Sequence, residues 1–205
     1  RKKLKKGIYK VFINLKFVKG KMHYGEIYIK GKLKKEIFFS TYICHPSMAN
    51  NELSGPLVAL KLSKILKSSK YTVKIIFIPE TIGAIYYIKK NLSNLKKNLI
   101  AGINLSCVGD KNNFSYISSI NENTYSDLII KRILKKQNYK KFNFEKRGSN
   151  ERQFGCQNLN LPFITICRSR FGDYKEYHTS EDNLKIISNK KLNGSVNLVK
   201  NFVEE

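Results

Sequence analysis

Of the 205 residues, 41% are hydrophobic and 12% aromatic, which supplies a core for one domain and excludes wholesale disorder. The formal charge of +24, from 39 Lys and Arg against 15 Asp and Glu, raises the question of an anionic partner. The positive residues are mostly Lys, scattered along a chain rich in Lys, Asn and Ile, with no arginine-and-aromatic platform, so nucleic acid is not the expected partner.

In chain order, residues 8–18 partly alternate and are β-branched or aromatic, which predicts a strand broken by Gly20. Residues 24–30 predict a second strand and 36–44 a denser, central one. A turn is expected from Asn51 to Gly55, then a helix over 57–67 from apolar residues at helical spacing. Residues 72–78 predict a buried strand ended by Pro79, 82–90 a short helix, and 99–106 a strand. An amphipathic helix follows at 124–137, a strand at 161–167 and a last helix at 191–203.

The alternation of strands and helices implies βαβ units and a largely parallel sheet. The fold expected is α/β, a three-layer, mostly parallel mixed sheet with helices on both faces. Residues 1–34 are assigned to a β-rich segment, the end of an inserted or upstream subdomain, and 35–205 to the main domain. The chain opens on Arg1, so it is read as a fragment or a processed form. No apolar run has the length of a membrane span, and no membrane partner is expected. Four cysteines without a C-x-x-C pair read as buried free thiols in a reducing, cytoplasmic setting. Nothing sets the oligomeric state.

Polar clusters follow the apolar runs, as they should where sites form at the carboxyl ends of parallel strands. His45 directly follows 36–44, in Cys44-His45-Pro46-Ser47-Met48-Ala49-Asn50-Asn51-Glu52. It is a candidate metal ligand or proton carrier, against the plainer reading of a loop histidine with an Asn capping the next helix. Glu80 follows 72–78, where a carboxylate suits a general base or a helix start. His178 lies among Glu176, Tyr177, Thr179, Glu181 and Asp182, with Asp182 able to orient it or to cap the last helix. Gly148 to Phe154 is a further polar stretch for the same edge. Cys44 and His45, as strand neighbours, are expected to point apart, which argues against a thiol nucleophile.

These blocks, in this order, resemble the aminopeptidase-like domains grouped with the M28 zinc peptidases, and more closely a bacterial branch, DUF4910 or DUF2172, found near surface-polysaccharide genes. The stretches that carry it are ICHPSMANNELSG, IFIPETIGAI, SCVGD, SNERQFGCQNLNLP and YKEYHTSEDN, spanning residues 36 to about 187. The resemblance implies His45 and His178 as zinc ligands, Asn51 at the position of a metal-binding Asp, Glu80 as the general base and Asn150 in the pocket wall. It places Glu151, Arg152 and Tyr177 near substrate. Thr81 and Ser106 stand where two-zinc peptidases have carboxylates. Zinc prefers His, Cys and carboxylate to a neutral amide, so one ion at most, weakly held or absent, is expected. Glu52 lies next to Asn51 as a neighbouring carboxylate. The function implied is a metal-dependent hydrolase acting on a peptide or amide-bearing small substrate. The alternative is a catalytically silent binding module linked to surface-polysaccharide biosynthesis.

Overall fold

The computed structural model describes residues 5–66 and 68–205. Its strands are β1 (Gly25–Ile29), β2 (Leu33–Tyr42), β3 (Tyr71–Ile78), β4 (Leu99–Leu105), β5 (Ser115–Ile117), β6 (Lys140–Phe142) and β7 (Phe163–Cys167). Its α-helices are α1 (Ser54–Ile65), α2 (Ile82–Asn98), α3 (Tyr125–Leu134), α4 (Glu151–Phe154) and α5 (Asn189–Glu204). The strands form one seven-stranded sheet in the order β1-β3-β2-β4-β7-β5-β6. The four central strands, β3, β2, β4 and β7, run parallel to one another. β1 and β5 join antiparallel, so the sheet is mixed, with a parallel centre.

The run Ile37-Phe38-Phe39 explains the three layers. Successive strand side chains face opposite sides. Ile37 and Phe39 pack in one cluster with Val58, Ala59 and Leu62 of α1, Ile130 of α3 and Val199 and Phe202 of α5. Phe38 packs on the other side with Ala84, Tyr87 and Ile88 of α2, and with Phe154 and Phe163. Burying a Phe fully contributes roughly 2–3 kcal/mol, so a strand apolar on both faces is placed centrally.

Several expectations are corrected. Residues 8–18 form no strand. They are irregular, and Ile8, Val11, Phe12, Leu15 and Phe17 are exposed. A strand needs a partner ladder, and β-type composition does not supply one. β1, in the 1–34 segment, hydrogen-bonds to β3 at the edge of the main sheet. The helix expected over 82–90 runs on to Asn98, because Leu92 and Leu95 continue the stripe of Ala84, Tyr87 and Ile88. The turn expected at 51–55 is a π-helical turn, Ala49–Leu53, that feeds directly into α1. β5, β6 and α4 were not expected; three or four residues carry too little periodicity to register.

Candidate active site

The parallel centre aims the carboxyl ends of β2, β3, β4 and β7 at one edge, and the loops leaving them carry the polar clusters. Each of those four loops contains a non-glycine residue in the left-handed region: Ser47 at φ 62°, Thr81 at 63°, Cys107 at 52° and His178 at 53°. Such residues cost about 1–3 kcal/mol each and gather where function constrains the backbone. Gly55 serves the same edge differently. A Cβ there would collide with Thr41 Oγ1 and lie 2.6 Å from the Leu105 carbonyl oxygen, so the start of α1 can lie against β2 and β4.

His45 is held by Glu52. Its Nδ1 is 3.1 Å from Glu52 Oε2, while Glu52 Oε1 accepts the Cys44 backbone N–H. The π-helical turn makes this contact, by bringing residue 52 back over residue 44. Glu52 is buried, and desolvation raises its carboxyl above the usual range despite the hydrogen bonds it accepts. A carboxylate on Nδ1 fixes that nitrogen as the N–H and leaves Nε2 free. His45 Nε2 is 3.9 Å from Glu80 Oε2. The expectation that Cys44 and His45 point apart fails. β2 ends at Tyr42, so the two residues leave strand geometry, and Cys44 Sγ sits 3.3 Å from His45 Nδ1. Cys44 also accepts the Glu80 N–H at 3.2 Å and is exposed, not buried. Burial of the sulfur is still enough, with the nearby Glu52 and Glu80 charges, to hold its thiol above its ordinary value, which disfavours a thiolate nucleophile.

Glu80 is set by the strained corner after it. The Thr81 N–H donates to Asn150 Oδ1 at 3.0 Å, and Asn150 Nδ2 donates to Ser40 Oγ at 3.1 Å. Arg152 is exposed and donates to Thr81 Oγ1 at 3.0 Å. Glu151 is buried: one oxygen accepts the Gly148 and Ser149 N–H groups, the other Asn104 Nδ2 and Thr165 Oγ1. Asn150 and Glu151 therefore brace the wall, since their polar atoms are spent internally. Arg152 and Tyr177 are the two of that expected set with surface to offer.

His178 lies with its ring centroid 5.1 Å from that of His45 and stacks on Tyr177 at 3.9 Å. Desolvation and the neighbouring His45 lower its pKa, which favours the neutral imidazole. Asp182 neither orients His178 by a hydrogen bond nor caps the last helix; Ser188 caps α5. Its carboxylate is fully buried. It accepts the backbone N–H of Asn50 at 2.6 Å and of Asn51 at 3.1 Å, and the Tyr174 hydroxyl at 2.9 Å. It thus caps the π-helical turn, the device that sets Glu52.

Asn51 is in the floor. Its amide Nδ2 donates to Tyr42 Oη at 2.5 Å, and its Oδ1 is buried without a partner. Tyr42 Oη in turn meets Ser106 Oγ at 2.6 Å. His45, Glu80 and His178 thus come to one place as the sequence expects. Sequence reasoning missed the roles of Cys44 and Asp182 and the hold of Glu52 on His45. The Cys-His dipeptide and the acidic residue after two Asn were the available signals.

A cavity of about 580 Å³ lies elsewhere, lined by Lys32, Lys70, Lys200 and Glu204, and contains none of this chemistry. Among the described residues no helix is long and apolar enough to cross a membrane.

The comparisons bear on family and fold. Residues 11–205 match the family described as a domain of unknown function, DUF4910. A Clostridium acetobutylicum protein named for polysaccharide biosynthesis with an aminopeptidase-like domain is 38% identical over 180 residues, covering 86% of this chain and 41% of that protein. A solved structure from the same organism, described as a peptidase, superposes with TM-score 0.83 at 36% identity, over 88% of this chain and 43% of the other. A zinc aminopeptidase from Bacillus subtilis shares the fold at TM-score 0.73 and 18% identity, over 87% of this chain and 48% of that one. The chain therefore spans about two fifths of the length of its curated relative. By its sequence match and its fold, the chain belongs to the DUF4910 family and has the aminopeptidase-like architecture.

Proposed function

We propose that this chain carries the hydrolytic pocket of an aminopeptidase-like enzyme acting on a peptide or amide bond. The observation that supports it best is the Glu80–His45 pair at 3.9 Å, with His45 tied on its far side to Glu52 and His178 ring-to-ring beside it. Glu80 accepts a proton from water attacking the carbonyl and passes it to the leaving amine. His45, with its tautomer set by Glu52, presents Nε2 to the reacting group. Arg152 and Tyr177 form the rim that meets substrate. Asn150 holds the Thr81 corner and so positions Glu80.

Zinc at the position implied by the family does not fit the residues present as a set. His45 is suitable and His178 favours its neutral form, but Asn51 offers only an uncharged amide oxygen, buried without a partner, where the family has a carboxylate. Thr81 and Ser106 add hydroxyls in place of carboxylates. No step is therefore assigned to a metal there. The substrate is a small peptide or amide, with a link to polysaccharide biosynthesis drawn from the relative's name, and a cytoplasmic setting is the reading given to the free thiols. The test is hydrolysis of a panel of aminoacyl amides. Glu80→Gln is expected to lower turnover at least about 100-fold; turnover left unchanged would remove Glu80 from the reaction.

The second reading is a binding module that keeps the pocket without cleaving. Asn51, Thr81 and Ser106, three uncharged groups at carboxylate positions, favour it. Saturable amide binding by pure protein, with no hydrolysis at any metal supplementation, would select it over the first.

A further inference from the structure

Cys44, His45 and Glu52 each turn a donor atom to one spot, and these atoms all lie within 4.8 Å of one another. The individual spacings are 3.3 Å from Cys44 Sγ to His45 Nδ1 and 3.1 Å from Nδ1 to Glu52 Oε2. Ligands about 2.0–2.3 Å from a tetrahedral ion stand roughly 3.5 Å apart, so the three are near coordination distance before any ion arrives. We propose that Cys44 Sγ, His45 Nδ1 and a Glu52 oxygen form a binding site for a zinc-class divalent cation, in place of a set containing Asn51 and His178.

Three features support this position. First, the donor types suit a borderline-soft ion: one sulfur, one imidazole nitrogen and one carboxylate, where magnesium and calcium would require oxygen throughout. Second, the ligands are rigidly supported. Asp182 caps the turn that carries Glu52, and the Cys44 N–H donates to Glu52, so the loop is already closed. Third, with Nδ1 on the ion, His45 Nε2 faces Glu80, the outer carboxylate that a metal-bound imidazole ordinarily has. Cys44 is exposed and His45 part-exposed, so the ion can enter from solvent and keep a fourth position for water. Uptake exchanges one proton for the ion: the thiol proton is released to solvent as the sulfur–metal bond forms, and the His45 proton moves from Nδ1 to Nε2, where Glu80 can accept its hydrogen bond.

The proposal rests on the hydrolase reading only for the ion's use in catalysis; the site itself stands on the three donors. Cobalt(II) is a suitable probe, since a thiolate ligand gives a sulfur-to-cobalt charge-transfer band. Titration of the natural protein is expected to produce that band. Cys44→Ser, at an exposed position, should abolish it and weaken cobalt binding at least about tenfold, and Glu52→Ala should weaken binding similarly. His178→Ala should leave both band and affinity intact, and so should Cys156→Ser. Circular dichroism of each variant checks that the fold persists. Cobalt binding without a thiolate band, a band that survives Cys44→Ser, or a band lost with His178 would each overturn the proposed ligand set, as would absence of binding. A band without amide hydrolysis would uphold this site while removing the hydrolase reading.

Discussion

Glu52 is a buried carboxylate kept where burial disfavours its charge. Its raised pKa means that the folded chain holds the proton more tightly than the unfolded one. Stability from this group is then present at low pH and lost as pH rises through its folded pKa. Glu52→Gln removes that loss while keeping an acceptor for the Cys44 N–H. It is expected to raise the melting temperature at neutral pH relative to the natural protein, with the advantage shrinking at pH below the ordinary carboxylate range. Metal affinity should fall in the same variant. A variant less stable at neutral pH would mean that Glu52 serves the fold more than the site. His45, Glu80 and His178 are legible in the sequence because each follows an apolar strand closely or lies in the loop after one. Glu52 is not legible in the same way, because its contact with His45 depends on a π-helical turn that no residue pattern announces.

At the scale of elements, the π-helical turn Ala49–Leu53 depends on one distant carboxylate. Asp182 satisfies two buried N–H groups of that turn and a tyrosine hydroxyl. Asp182→Ala leaves these donors unsatisfied, which should cost about 3 kcal/mol in urea unfolding and loosen the hold on His45. Asp182→Asn, which keeps an acceptor, should cost less. Equal unfolding midpoints for the natural protein and the Ala variant would refute the capping role. The central strands β2, β3, β4 and β7 could be read from their apolar runs, since burial on both faces leaves a dense signal. The partners of Asp182 could not be read, because 132 residues separate it from Asn50. Residues 8–18 failed for the opposite reason: their local composition suits a strand, but no neighbouring strand pairs with them among the described residues.

At the scale of the molecule, the irregular first stretch contributes little to the packed sheet. Ile8, Phe12 and Phe17 are exposed, and the first strand begins only at Gly25. A chain beginning at residue 21 is expected to melt within about 2 °C of the full one, a shift well under that of 1 kcal/mol; a larger drop would show that the stretch packs in solution. The charge of +24 is a property of the whole surface and does not define the pocket, whose side chains include Glu52, Glu80 and Asp182. The aminopeptidase-like fold delivers His45 and Glu80 to one edge, while Asn51 has become part of the floor. The most direct test is bound-zinc stoichiometry by elemental analysis on purified natural protein beside Asn51→Asp. About one zinc per chain is expected in both, since Asn51 is not a ligand of the Cys44, His45 and Glu52 site. Zinc held only by the Asp variant would contradict it, placing the metal position at residue 51 and leaving the natural chain disarmed.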